Sequence, residues 1–488
     1  MLNGKVVSMM FAQLIFGLSF YGAMTILTPF FLEKLQYSEA QTMLIVGAFS
    51  ALGTLFALAG GFIGDRVIGE YRALNVSFIC FTLGFGLLAF SAFQANVPLS
   101  LVGIALVIYA RGLKATNYST LYRYLFANYE AYEKSFTINY SVNNIGSLIA
   151  TYAFPFLAVA VAYHGSFLLS GLLCALAVVS LWFNRKPIVE KAKAIDNMPV
   201  ALKHWGLFTV ASVAMIGLVF FMFSDMKTGK YIVYAISMAS AIYFIYLTVK
   251  ANYADRLRML CITIMLIFTI IFFVYYGQMM TSMNIVAINT MRGDLLGFIP
   301  IKPEGSQVMN PIWCIVAGPV ISYVFARLEH RGIYVSTASK VAIAFVFTAI
   351  AFGILTWVVK GIQPDLVISP DMFLLINLFQ AFAEVVIGSL VVSFIVENAP
   401  KAYSSFSVSM NMVATSLGGM LAAVFSTQVA LDKGQKLTRD FAINTYGEFF
   451  MTLTVLAVAM AVVAFAGAFA IKKMLKAADI WEAQQGLS

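Results

Sequence analysis

Charge is what this sequence has least of. Asp, Glu, Lys and Arg make up 11% of its 488 residues, against about 25% in a soluble domain, which excludes a soluble globular protein. Cysteines number four, Cys80, Cys174, Cys261 and Cys314. All lie in apolar runs without CxxC or Cys/His spacing, so a disulfide framework and a zinc site are excluded and they read as small core residues. The three histidines, His164, His204 and His330, are scattered through segments that read as loops and give neither a triad nor a metal cluster. No polar stretch is long enough for a catalytic domain, so no enzyme and no cofactor are expected. A small-x-small cleavage site is lacking after the first apolar run, which is too long for a signal sequence and reads as the first spanning helix.

What is abundant is apolar length. Hydrophobic residues reach 61% and the mean hydropathy is +0.88, the composition of an integral membrane protein. Windows of about 20 apolar residues place spans near 6–32, 42–63, 74–94, 97–120, 136–162, 165–184, 206–224 and 230–250, then near 258–286, 309–327, 337–360, 371–397, 404–430 and 445–472. That is about fourteen helices, grouped by their connections as six, two and six. The expected division is an N-terminal six-helix bundle over 1–184, a cytoplasmic linker with two extra helices over 185–257, a C-terminal bundle over 258–477 and a tail over 478–488.

The net charge of +9 could suggest nucleic acid, but the basic residues sit in short segments between apolar runs. Most of the 31 lysines and arginines fall in segments on one side of the membrane. By the positive-inside rule that side is the cytoplasm, and with an even number of spans it holds both termini.

Two cations depart from this pattern. Arg111 and Lys114 lie within the apolar run that begins near Val97, three residues apart and so on one helix face. Each costs about 2.5–3.5 kcal/mol in a spanning helix on insertion scales. Snorkelling of long stems toward the headgroups suits Lys114 better than Arg111, which lies nearly a turn deeper; a water-filled functional cavity suits both. Glu384 is the acid deep within an apolar span and the candidate proton carrier.

Between the second and third spans runs Gly60-Gly-Phe-Ile-Gly-Asp65-Arg66-Val-Ile-Gly69-Glu-Tyr-Arg72. Its glycines allow close approach and a tight turn, and Asp65 and Arg66 can cap and tether helix ends. The stretch resembles the G-x-x-x-D-R-x-x-G loop of the major facilitator superfamily, in which Gly61, Asp65, Arg66 and Gly69 form the gating loop.

Further elements resemble one branch, the proton-dependent oligopeptide transporter (POT/PTR) family. Its F-Y-x-x-I-N-x-G-S-L signature is echoed by Tyr140, Asn144, Gly146, Ser147 and Leu148, and its G-x-G-L-F-K element is partly matched by Arg111-Gly-Leu-Lys114. An aromatic run ending in Gln is similar to Phe272-Phe-Val-Tyr-Tyr-Gly-Gln278. Gln307-Val-Met-Asn310-Pro311 and Gln380-Ala-Phe-Ala-Glu384, with Ala399-Pro400 after it, complete the order. Bacterial members also carry two extra helices after the sixth. The resemblance implies an all-α membrane protein of the major facilitator fold, two six-helix bundles plus two inserted helices, acting by alternating access.

It also implies roles. Lys114 and Glu384 would face a central cavity from opposite bundles and carry proton coupling, with Arg111, Lys114, Tyr140, Asn144, Gln278 and Glu384 binding substrate. One departure is plain. The family's E-x-x-E-R-F-x-Y-Y-G opening, anchored on Ser19-Phe20-Tyr21-Gly22, puts its two acids and its arginine on Gln13, Phe16 and Gly17. Arg111, where the family usually has a small residue, is expected to take over anion binding. The expected function is proton-coupled uptake of a peptide or peptide-like substrate across a bacterial inner membrane, by a monomer. The alternatives are import or export of a carboxylate-bearing metabolite such as a polycarboxylate siderophore, and a non-transporting membrane sensor.

Overall fold

A spanning chain has no water to satisfy its backbone in the hydrocarbon, so it folds into helices whose hydrogen bonds are internal. The computed structural model describes residues 4–127, 129–400 and 403–485, so residues 486–488 of the expected tail lie outside the described part. Thirteen described stretches are long and apolar enough to cross a membrane. One of them, within the helical stretch Tyr129–Phe183, is broken where Val161 (φ −123°, ψ 15°) and Ala162 (φ 55°, ψ 174°) leave helical geometry. Split there, the described residues form fourteen candidate membrane helices. These are α1 (Gly4–Lys34), α2 (Glu39–Ile68), α3 (Glu70–Gln94), α4 (Val97–Tyr124), α5 (129–160), α6 (163–183), α7 (Leu202–Ser224) and α8 (Met226–Lys250). There follow α9 (Tyr253–Thr290), α10 (Pro303–His330), α11 (Thr337–Lys360), α12 (Pro370–Asn398), α13 (Ser404–Ser426) and α14 (Arg439–Gln484).

Side-chain caps set several starts. The Asn96 side chain accepts from the Leu99 amide at 3.0 Å and the Asn252 side chain from that of Asp255 at 2.8 Å. Ser336 and Ser369 do the same for α11 and α12. Each occupies one of the orphan donors of a helix's first turn.

The chain divides into two compact units, Met1–Ser38 with Ala48–Lys230, and Glu39–Gly47 with Tyr231–Ser488. In the first, α1 packs on α5 through facing glycines: a Cβ on Gly17 would lie 2.6 Å from the Asn143 carbonyl, and one on Gly146 2.7 Å from that of Leu14. The α2–α4 contact is as close. A Cβ on Gly60 would fall on the Gly112 carbonyl, and one on Gly112 would come within 2.6 Å of the Phe56 Cβ. Both obstacles are main chain or its first side-chain atom, so neither can swing away. Gly60→Leu is therefore expected to cost more than the usual overpacking penalty of about 1–3 kcal/mol, seen as a collapse in the yield of monodisperse protein in detergent.

The second unit has a continuous apolar core in which Phe268 and Phe272 of α9, Phe345 of α11, Val386 of α12, Met410 of α13 and Ala464 of α14 are buried. The two inserted helices pack on different units. From α7, Ser212 meets the Tyr109 hydroxyl of α4 at 2.6 Å; from α8, Tyr243 stands edge-on to Phe406 of α13 at 5.2 Å.

Three expectations change. His164, His204 and His330 lie on helix ends, in α6, α7 and α10, not in loops. The Asp-Arg stretch is not a loop either: α2 continues through a wide turn, Gly64–Ile68, and the chain reverses at Gly69 alone (φ +91°). Finally, α14 remains helical through Gln484, because the tail residues extend an established helix instead of starting a coil.

Candidate functional site

In the first unit, α4 carries the two cations. The Lys114 ammonium is buried and donates to the Gln13 side-chain oxygen on α1 at 2.6 Å. It lies 3.7 Å from the centre of the Phe16 ring and 4.7 Å from that of Tyr118. The Arg111 guanidinium, half-buried, donates to the Ser50 carbonyl at 3.2 Å and lies 5.1 Å over Phe20. Phe16 and Phe20 stack on each other at 5.0 Å. The i, i+3 cations of α4 thus rest on an i, i+4 aromatic pair of α1, an arrangement helix periodicity makes natural. A Cβ on Gly53 of α2 would lie 2.6 Å from the Arg111 Cδ, so that glycine makes the space the guanidinium stem occupies.

Hydrogen bonds to neighbouring helices fix α4 on more than one side. Thr116 donates to the Ala57 carbonyl at 2.9 Å and Asn117 to that of Gly60 at 2.8 Å. The Tyr118 hydroxyl is 2.9 Å from the Met9 carbonyl and 2.7 Å from the Asn139 amide oxygen. On α5, Tyr140 is 49% exposed, and the buried Asn144 side-chain nitrogen has no hydrogen-bond partner among the described residues. The Asn144 nitrogen is thus a buried donor open to a ligand.

In the second unit, Glu384 of α12 accepts from the Asn310 amide of α10 at 2.8 Å and from the Tyr276 hydroxyl of α9, with the Cys314 thiol 3.6 Å away. No basic side chain forms an ion pair with it among the described residues of this unit. Amide, phenol and thiol can donate to a carboxylate, and the phenol and thiol oxygen and sulfur also tolerate a protonated acid. This group can therefore hold or release a proton without losing its surroundings. Gln278 is placed differently from its neighbours in the sequence motif. It is fully buried, its nitrogen donating to the Val274 carbonyl at 2.9 Å and its oxygen accepting from Ser282 at 2.6 Å. Both ends of its amide are engaged within α9.

The Gly60–Arg72 stretch organises the linker. Lys193 bridges Asp65 at 2.5 Å and Glu70 at 3.0 Å. Burial lowers the Lys193 pKa, but its contacts with Asp65 and Glu70 outweigh that and hold it above the ordinary lysine value. Asp196 accepts from the Glu70 and Tyr71 amides at 3.2 and 3.0 Å, capping α3. A Cβ on Gly69 would collide with that carboxylate. Arg72 donates to the carbonyls of Ile195 and Met198 at 3.0 and 2.7 Å. Gly61 faces Thr116 of α4, and Arg66 is exposed.

The residues that sequence reasoning passed over are Gln13, Phe16 and Phe20 as contacts of the cations, and Cys314 beside Glu384. The alignment of Gln13 and Phe16 with a pair of acids was the available signal. Cys314 offered none beyond its position one turn after Asn310.

Fourteen apolar helices, a pair of intramembrane cations in one unit and an intramembrane carboxylate in the other define a multi-pass carrier of the helical kind. Comparison with known proteins makes this specific: the POT family model matches residues 71–448, and the chain belongs to that family of transporters. It is 26% identical over 435 residues to dipeptide and tripeptide permease A of Pectobacterium carotovorum subsp. carotovorum, spanning 89% of this chain and 85% of the relative. To dipeptide and tripeptide permease B of Xenorhabdus bovienii it is 27% identical over 429 residues, spanning 87% and 86%. Among solved structures, it superposes on a bacterial homologue of the human drug peptide transporters PepT1 and PepT2 with a TM-score of 0.84 at 19% identity, over 96% of this chain and 99% of the other. Tetrameric PepTSo2 gives 0.85 at 19% identity, with the same coverage.

Proposed function

We propose that this protein imports short peptides into a bacterial cytoplasm by alternating access, driven by protons, from an inner membrane in which both termini face the cytoplasm. The observation that carries this reading is the match to dipeptide and tripeptide permeases over nearly the whole of both chains. The charge bias of the connecting segments supports the orientation.

In this reading Arg111 and Lys114 hold the peptide carboxylate, for which a guanidinium offers a two-pronged fit, and Tyr140 and Asn144 line the same space. Glu384 carries the proton: its donors suit the ionised form and its burial the neutral one. Asp65, Arg66 and the turn at Gly69, with Gly61 behind them, act as the gating hinge through the linker. Gln278, with its amide engaged inside α9, serves as a helix clamp. The bundles are taken as 1–184 and 258–477 with the inserted segment 185–257 between them in the chain, and one chain as the transport unit.

The test is uptake into proteoliposomes of radiolabelled dipeptides, with and without an inward proton gradient. Gradient-driven accumulation that unlabelled di- and tripeptides suppress is the expected result. A second reading, transport of a non-peptide carboxylate such as a polycarboxylate siderophore, is favoured by the loss of ionisable residues on α1. It would replace the first if small carboxylates compete and peptides do not. Absence of any solute movement would point to a sensor.

A further inference from the structure

Away from their ends, α1 to α6 carry two cations, Arg111 and Lys114, and no acid; the buried acids of this unit, Glu70 and Asp196, lie at the start of α3 and in the linker. Between Lys5 and Glu33, between Glu39 and Asp65, between Glu70 and Glu130, and between Glu133 and Glu190 the sequence has no Asp or Glu. These stretches comprise the interiors of α1 to α6. Elsewhere in the unit, cations near acids do pair, as Lys193 does with Asp65 and Glu70. Lys114 cannot. Its hydrogen bond goes to a neutral amide and its remaining faces to two aromatic rings.

We propose that Gln13 and Phe16 are specificity-determining positioning residues: together they form an uncharged seat that holds the Lys114 ammonium in place without neutralising it, leaving its charge for the anionic end of the substrate. An amide oxygen and a ring face each stabilise an ammonium while contributing no formal negative charge. A carboxylate at the same distance would bind the ammonium more tightly and compete with the substrate for it. The inference rests on the reading above in which Lys114 holds a substrate carboxylate, and on its peptide part for the choice of probe.

Other groups around the seat do not alter the argument. Away from their ends, the other ionisable side chains of these helices are Tyr109, Arg111, Tyr118 and Tyr122 on α4, Tyr21 on α1, Cys80 on α3, Tyr140 and Tyr152 on α5 and Cys174 on α6, while α2 contributes none between Glu39 and Asp65. Phenols and thiols ordinarily titrate above neutrality, so a carboxyl introduced here would be the new acid-range titrant in the middle stretches of α1 to α6. Glu384 is common to all variants and drops out of comparisons between them.

The experiment is Gln13→Glu in the full-length protein, read by binding of L-alanyl-L-alanine and of its C-terminal amide from pH 5 to 8. Binding of the free dipeptide is expected to weaken about tenfold or more relative to wild type at pH 7.5, since breaking a charge-assisted contact costs roughly a factor of ten or more. The deficit shrinks as the pH falls, because the substrate carboxylate can displace the introduced side chain once that side chain takes up a proton. The amide, which has no carboxylate to offer, should lose little. Phe16→Leu is expected to weaken the free dipeptide severalfold at every pH, without the added pH dependence.

A second arm needs no substrate. The thermal midpoint of Gln13→Glu should acquire a pH dependence that disappears when Lys114→Met is added. If wild type binds neither peptide, the peptide reading fails and this arm alone judges the seat. Equal losses for dipeptide and amide, or a Gln13→Glu midpoint that follows pH as wild type does with or without Lys114, would overturn the proposal.

Discussion

Glu384→Gln is expected to leave the protein folded and able to exchange substrate across a membrane, but to abolish accumulation against a gradient. Glutamine keeps the shape of the side chain and can accept from Asn310 and Tyr276, which donate to the carboxylate in wild type. What it cannot do is carry a proton. If one proton moves with each neutral dipeptide, 100 mV of membrane potential supplies about 2.3 kcal/mol per charge, roughly fifty-fold accumulation. The variant should lose all of it. Counterflow of labelled against unlabelled dipeptide in preloaded proteoliposomes, compared with gradient-driven uptake, separates the two activities. Gradient-driven accumulation equal to wild type would remove Glu384 from the coupling role.

Arg111→Ala is expected to weaken dipeptide binding by roughly one to two orders of magnitude, since a hydrogen bond to a charged group contributes about 1.5–3 kcal/mol. Arg111→Lys should not restore it. An ammonium lacks the planar fork and would not span the same path past Gly53 and over Phe20. Unchanged affinity in Arg111→Ala, measured by titration calorimetry in detergent, would show that the guanidinium holds α2 to α4 through Ser50 and has no part in recognition. Gly53→Val offers a separate check, because it crowds the arginine stem while retaining the charge.

Much of the architecture was legible because the signal is long and uniform. Apolar runs of about 20 residues give the number of helices, and even the break near 162 is visible between the windows ending at 162 and starting at 165. The ends of helices were less legible. Asp65 and Arg66 read as loop residues because polarity there is indistinguishable from polarity on a last helical turn, and only Gly69 has the backbone that reverses the chain. Likewise, the sequence shows nothing to stop α14 before Gln484 except a fall in hydropathy, which marks leaving the hydrocarbon and not leaving the helix.

The candidate site was legible by element and not by contact. Arg111, Lys114 and Glu384 stand out because charge in an apolar run is costly. Their hydrogen-bond partners include ordinary residues more than sixty positions away, as Gln13 is from Lys114 and Asn310 from Glu384, and no periodicity links them. Gln278 shows the converse. Its position in a motif suggested a ligand, yet a one-turn hydrogen bond to Val274 and another from Ser282 occupy it.

The sulfur beside Glu384 gives this protein an infrared reporter that needs no labelling. The Cys314 thiol lies 3.6 Å from the carboxylate oxygen and 3.5 Å from the Asn310 amide oxygen. The S–H stretch absorbs in a window that protein groups leave nearly empty, and its frequency shifts with the strength of the acceptor it meets. Ionised, Glu384 is the stronger acceptor; protonated, it cedes that hydrogen to the amide. A difference spectrum against Cys314→Ala, which removes one of four thiol bands, would therefore display the arrival of a proton at Glu384 as a displacement of a single line.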